Sequence, residues 1–174
     1  MKTDILTPAQ KNLKLTLWNA EAESVASSDI YLWLRECGLP SEVAIPLKNL
    51  VDDVTKVGDQ IINIGKIILI KIIEFVKAHP NLLIGIAIGA AIGALVATIP
   101  FLGTFLAPMV TVFAVTIAGI AGHRIDKLEK GKSENSNMNL IAISQDVIEI
   151  AKAFFKLLID VFNAVFDKHV LSGV

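Results

Sequence analysis

From Ala78 to His123 the chain carries no Asp, Glu, Lys or Arg, and Pro100, Phe101, Leu102 and Gly103 interrupt that run near its middle. A charge at the centre of a bilayer costs at least about 2.5 kcal/mol, so long charge-free stretches are what membrane insertion selects. Asn81 to Ile99 would rise about 28 Å as a helix, close to the thickness of a hydrocarbon core. Phe105 to Gly122 is slightly shorter and holds Pro108 near its start. The pattern predicts two membrane-spanning helices closed by a turn at Pro100 and Gly103.

The flanks are helical too. Thr7-Pro8-Ala9-Gln10 reads as a helix start, with Thr7 as cap, Pro8 at the first helical position and Gln10 closing a capping box. That helix should run to about Ala26, although Leu13, Leu15 and Leu17 alternate as in a strand. Ser27 or Ser28 is placed to cap a short second helix that Gly38 and Pro40 end. Lys48, Asp52, Lys56, Asp59, Asn63, Lys66, Glu74 and Lys77 recur at steps of mostly three and four. They predict one long amphipathic helix over residues 46–79, broken at His79-Pro80. Residues 124–139 read as a polar connector. A last amphipathic helix covers Leu140 to Val170, its stripe formed by Gln145, Glu149, Lys152, Lys156, Asp160, Asn163 and Asp167.

The expected architecture is therefore all-α: a two-span transmembrane hairpin (80–123) flanked by long amphipathic helices, with oligomerisation expected. Residues 1–45 form an N-terminal cytoplasmic helical region, 46–79 the long helix, and 124–174 the connector and final helix. Lys66, Lys71 and Lys77 precede the hairpin, and Arg124, Lys127, Lys130 and Lys132 follow it. By the positive-inside rule both termini stay in the cytoplasm, and the expected location is a bacterial inner membrane. The N-terminus runs into a polar helix pattern and not an apolar signal region, so no cleavable secretory signal is expected.

Composition excludes several classes of function. The net charge of −1 supplies no basic field for nucleic acid, and no aromatic-studded basic patch exists. Cys37 is the single cysteine, which rules out an internal disulfide framework and a cysteine-based zinc site. No two of His79, His123 and His169 share a helical turn, so no metal is expected. Neither a nucleophile elbow nor a phosphate loop is present, and the glycines have no strand before them. Neither enzymatic chemistry nor a cofactor is expected.

Gly85, Gly89 and Gly93 are spaced four apart, with Ala97 continuing the series. Small residues at that spacing let two helix backbones approach closely, and in lipid such packing is one of the few forces that joins helices. The series reads either as an oligomer interface or as the face on which the first span packs against the second. Asn63, Lys66 and Glu74 on one flank, and Glu149, Lys152, Lys156 and Asp160 on the other, read either as the lining of an aqueous lumen or as solvated faces of a bundle. Trp18, Tyr31 and Trp33 suit headgroup anchoring or core packing equally.

The hairpin, Pro80 to Gly122, resembles the hydrophobic hairpins of helical pore-forming proteins such as colicin channel domains. Its Gly85, Gly89 and Gly93 spacing also resembles small glycine-zipper membrane proteins. Both resemblances imply a chain that acts on a lipid bilayer. The leading expectation is an oligomeric pore or permeabilising assembly of the toxin or antiviral-defence type. One alternative is a non-conducting membrane anchor, scaffold or immunity-type protein that recruits a protein partner through its N-terminal region. Another is a soluble helical bundle that buries the hairpin inside a shell of its own helices and inserts it when triggered.

Overall fold

The computed structural model describes residues 6–39, 41–80, 82, 84–107 and 135–172. The described chain is mostly helical. α1 spans Pro8–Ser24, α2 Ser27–Glu36, α3 Ser41–Leu50, α4 Ile64–Ala78, α5 Ile84–Thr98 and α6 Asn135–Ser172. A small antiparallel hairpin, β1 (Thr55–Val57) and β2 (Gln60–Ile62), lies between α3 and α4. After α5, Pro100–Leu102 makes a 3-10 turn, and the backbone is helical again at residues 103–107.

The start of α1 follows its local chemistry. Gln10 N–H donates to Thr7 Oγ1 at 3.3 Å, and Thr7 N–H donates to Gln10 Oε1 at 2.8 Å. Leu15 is buried whereas Leu13 and Leu17 face outward, so the strand-like alternation belongs to a helix with two apolar residues left in water. α2 begins without a serine cap: its N-cap residue is Ala26, which has no side-chain hydrogen bond. It ends where expected, at Gly38, whose φ of 75° reverses the chain in a conformation that disfavours larger residues.

The long helix expected over residues 46–79 is instead two helices with a hairpin between them. Gly58 and Asp59 form a two-residue turn, Val57 opposes Gln60, and Gly58 takes a φ of 62°. Thr55, Val57, Ile61 and Ile62 are β-branched and favour this extended pairing over helix. Polar residues at helical spacing therefore ran across a strand pair. The final helix starts at Asn135, earlier than expected, and takes in residues assigned to the connector.

A single apolar core joins these elements. α4 contributes Ile64, Ile67, Ile68, Leu69, Ile72, Phe75 and Val76. α6 contributes Val147, Ala151, Phe155, Leu158, Val161, Phe162 and Val165, a helical-period stripe. α1 packs on both, and α5 packs on α6 and α4. Where α4 begins, Gly65 passes directly against the end of α3. An added Cβ there would collide with the Leu50 carbonyl oxygen, and Gly65 N–H donates to Asp53 O at 3.0 Å.

Candidate functional site

α5 sits inside the bundle, although its sequence is the one most suited to lipid. Ala87, Ile88, Gly89, Ala90, Ala91 and Ile92 are all buried, as are Ala94 and Leu95. At 3.6 residues per turn, six consecutive buried positions cover the whole circumference of a helix. No face of that central stretch is left to water. α6 and α4 supply the packing, and their outer faces carry the charges.

Two aromatic groups brace α6, one against the end of α4 ahead of α5 and one against the turn that follows α5. Ahead of α5, the ring centroid of Phe75 lies 5.2 Å from Phe154, 5.4 Å from Phe155 and 4.5 Å from His79. His79 Nδ1 lies 3.0 Å from Phe75 O at the end of α4. Beyond α5, Phe101 lies 4.5 Å from Phe166 and 6.4 Å from Phe162. Asn163 Nδ2 also donates to Thr98 O at 3.2 Å, which satisfies a carbonyl in the last turn of α5. Thr98 Oγ1 bonds back to Ala94 O.

Among the described residues no helix is long and apolar enough to cross a membrane. α5 has 15 residues, a rise of about 22 Å, against a hydrocarbon core of about 30 Å. The expected first span, Asn81–Ile99, is thus shorter as a helix here. A turn in which Leu82 N–H donates to His79 O precedes it. The expected second span lies outside the described residues from Pro108 onward.

The glycine series is not uniformly placed. Gly89 is buried, Gly85 and Gly93 are half-buried, and Ala97 is exposed. A Cβ at Gly93 would meet nothing within 4 Å, and the same holds for Gly103 beyond the turn. The stripe therefore comes to the surface toward the end of α5. Pro100 opens the 3-10 turn, whereas Gly103 begins the helical stretch 103–107 that follows it.

The polar residues of α4 make contacts within the chain. Asn63 N–H and its Nδ2 donate to Asn19 Oδ1 at 2.8 and 3.1 Å, and Lys66 Nζ donates to Val25 O at 3.0 Å. Lys71 Nζ pairs with Glu74 at 3.2 Å and lies 5.2 Å from the Trp18 ring centroid. Trp18 in turn meets Phe162 edge-on at 6.5 Å, so it packs the bundle. On α6, Glu149 and Lys152 approach to 3.5 Å, while Lys156 and Asp160 are exposed. Asn19 and Val25, in and at the end of α1, thus cover the first part of the α4 stripe.

Asn19, Gly65 and the aromatic fastenings carry no short-range sequence signal, since each depends on a partner far along the chain. Gly58-Asp59 between β-branched runs was the available signal for the strand pair. Among the described residues no cluster of three or more His, Cys, Asp or Glu is placed to hold a metal ion. No protein-family model, curated protein or solved structure matches this chain.

Proposed function

We propose that this chain permeabilises membranes by holding the apolar helix α5 among amphipathic helices and transferring it, together with the charge-free segment that follows in the sequence, to a lipid bilayer. The observation that carries this reading is the burial, on every face, of the charge-free central stretch Ala87–Ile92 of α5 against helices whose outer faces are charged. Lipid tails are as apolar as Leu, so α5 exchanges protein neighbours for lipid at little cost, whereas water would penalise each exposed Ile or Leu by about 1.5–3 kcal/mol. In the bilayer, Asn81–Ile99 forms the first span and the segment after Gly103 the second. Copies then associate through Gly85, Gly89, Gly93 and Ala97. Withdrawal of α6 is the releasing step, because α6 packs along α5 and holds its C-terminal end through Asn163 and Phe166.

Dye release from liposomes tests the proposal with wild type beside Gly93→Leu. Gly93 has open space beside it, so the variant folds as a bundle, as circular dichroism would confirm. Wild type should release dye, and Gly93→Leu should release it at least about tenfold more slowly, since a leucine blocks close helix approach. A wild type that associates with liposomes as an oligomer yet releases nothing overturns the pore and leaves a non-conducting anchor.

A further inference from the structure

α2 and α3 meet at a corner turned by Gly38, and the concave side of that corner holds a cleft of about 400 Å³. Its walls combine two chemistries. Arg35, Lys48 and Ser41 supply the polar part of the lining, and Leu39 and Ile45 supply the apolar part. None of the lining residues is acidic, and neither Arg35 nor Lys48 makes an ion pair among the described residues. Lys48 Nζ lies 5.1 Å from the Tyr31 ring centroid, so the ring helps hold the ammonium group at the mouth. Ser41 opens α3, where the first-turn N–H groups add a partial positive charge.

We propose that this cleft is a docking site for anionic phospholipid, with the headgroup phosphate between Arg35 and Lys48 and the glycerol and upper acyl region against Leu39 and Ile45. Charge complementarity fixes an anion. The aliphatic part of the lining selects lipid over an acidic peptide: Ile45 is 56% exposed, with Leu39 beside it in the same cleft. Aliphatic side chains left in water beside cations and a tyrosine are the arrangement of a protein surface that sits at a headgroup layer. The inference deepens the bilayer-transfer reading and rests on it, by naming the surface that meets lipid first.

Co-sedimentation of the full chain with vesicles tests it. Wild type, Arg35→Gln/Lys48→Gln and a control, Lys11→Gln/Lys14→Gln on α1, are compared on phosphatidylcholine vesicles with and without phosphatidylglycerol. Each cation near an anionic surface is worth about 1 kcal/mol, so the cleft variant should lose roughly 10- to 30-fold in affinity for the anionic vesicles. The control should keep most of its binding. Equal binding by the cleft variant and wild type overturns the site, as does an equal loss in the control. Glycerol phosphate that displaces the protein at its own millimolar concentration identifies a free phosphate ligand, and poly-glutamate bound in preference to vesicles identifies an acidic peptide. Either result overturns the lipid assignment. Sedimentation reports on the cleft and dye release on the hairpin. Binding through Arg35 and Lys48 without leakage therefore supports this inference while overturning permeabilisation.

Discussion

Asn19 Oδ1 accepts two hydrogen bonds from Asn63, one from the backbone N–H at 2.8 Å and one from Nδ2 at 3.1 Å. Asn19 Nδ2 donates to Ile61 O at 3.1 Å, which ties the middle of α1 to β2 and to the start of α4. Asn19 is a buried polar side chain, 5% exposed, and all of its hydrogen-bonding groups on this side are occupied. Replacement by leucine strands the Asn63 N–H and the Ile61 carbonyl. Asn19→Leu should lower unfolding free energy by about 1–3 kcal/mol, measured by urea denaturation. An unchanged midpoint would show that this bridge contributes nothing.

Gly65 admits no side chain. A methyl group there would overlap the Leu50 carbonyl oxygen and crowd the carbonyl of Asp53, both of them backbone. Relief requires α3 and α4 to separate, which also breaks the Gly65–Asp53 hydrogen bond. Gly65→Ala should therefore cost about 3 kcal/mol or more, seen as a large drop in thermal midpoint.

Gly93 behaves oppositely. With open space beside it, Gly93→Ala gains helix propensity and should stabilise the bundle by up to about 1 kcal/mol. If close helix approach in the bilayer needs Gly93, the same variant releases dye more slowly. A rise in thermal midpoint combined with a fall in release rate separates folding from assembly.

Phe154 pairs with Phe75, Phe155 and His79 while remaining 38% exposed. Phe154→Ala removes ring pairs worth about 0.5–1.5 kcal/mol each without opening a deep cavity. Dye release should become faster although the bundle is less stable. Slower or unchanged release by a folded variant would remove this cluster from the releasing step.

Burial holds the Asp53 carboxyl above its ordinary range, and the negative charge of Asp52 pushes it the same way. The native chain therefore keeps a proton that the unfolded chain gives up at about pH 3.9. This site's stabilising contribution is present in acid and is lost as pH rises through the raised value. Asp53→Asn should raise the thermal midpoint at pH 7 relative to wild type, with the difference closing near about pH 3. Acid consequently tightens this corner, so Asp53 is not an acid trigger for opening.

Much of the helical plan was legible because its determinants are local. The Thr7–Gln10 capping box, the Gly38 stop and the break at His79-Pro80 all lie within a turn or two of the residues that they govern. The strand pair was missed because helical periodicity was given more weight than Gly58-Asp59, although the β-branched runs around that dipeptide favoured strands. For α5 the sequence established an apolar helix but not its medium. Protein and lipid both reward the same residues, and only the three-dimensional placement of α4 and α6 distinguishes them. The cleft at Arg35 and Lys48 was equally hidden, since two cations thirteen positions apart meet only after the corner at Gly38 has formed.

α6 is held at two separate heights, by Phe154 and Phe155 against Phe75 of α4 and by Phe162 and Phe166 against Phe101 just beyond α5. A rigid rod cannot lift from one of these points without loading the second. Half-open forms, with a greasy end trailing in water, are thereby discouraged. α6 is thus a bar gripped by two teeth, one on α4 and one beyond α5, and the two grips yield together or not at all.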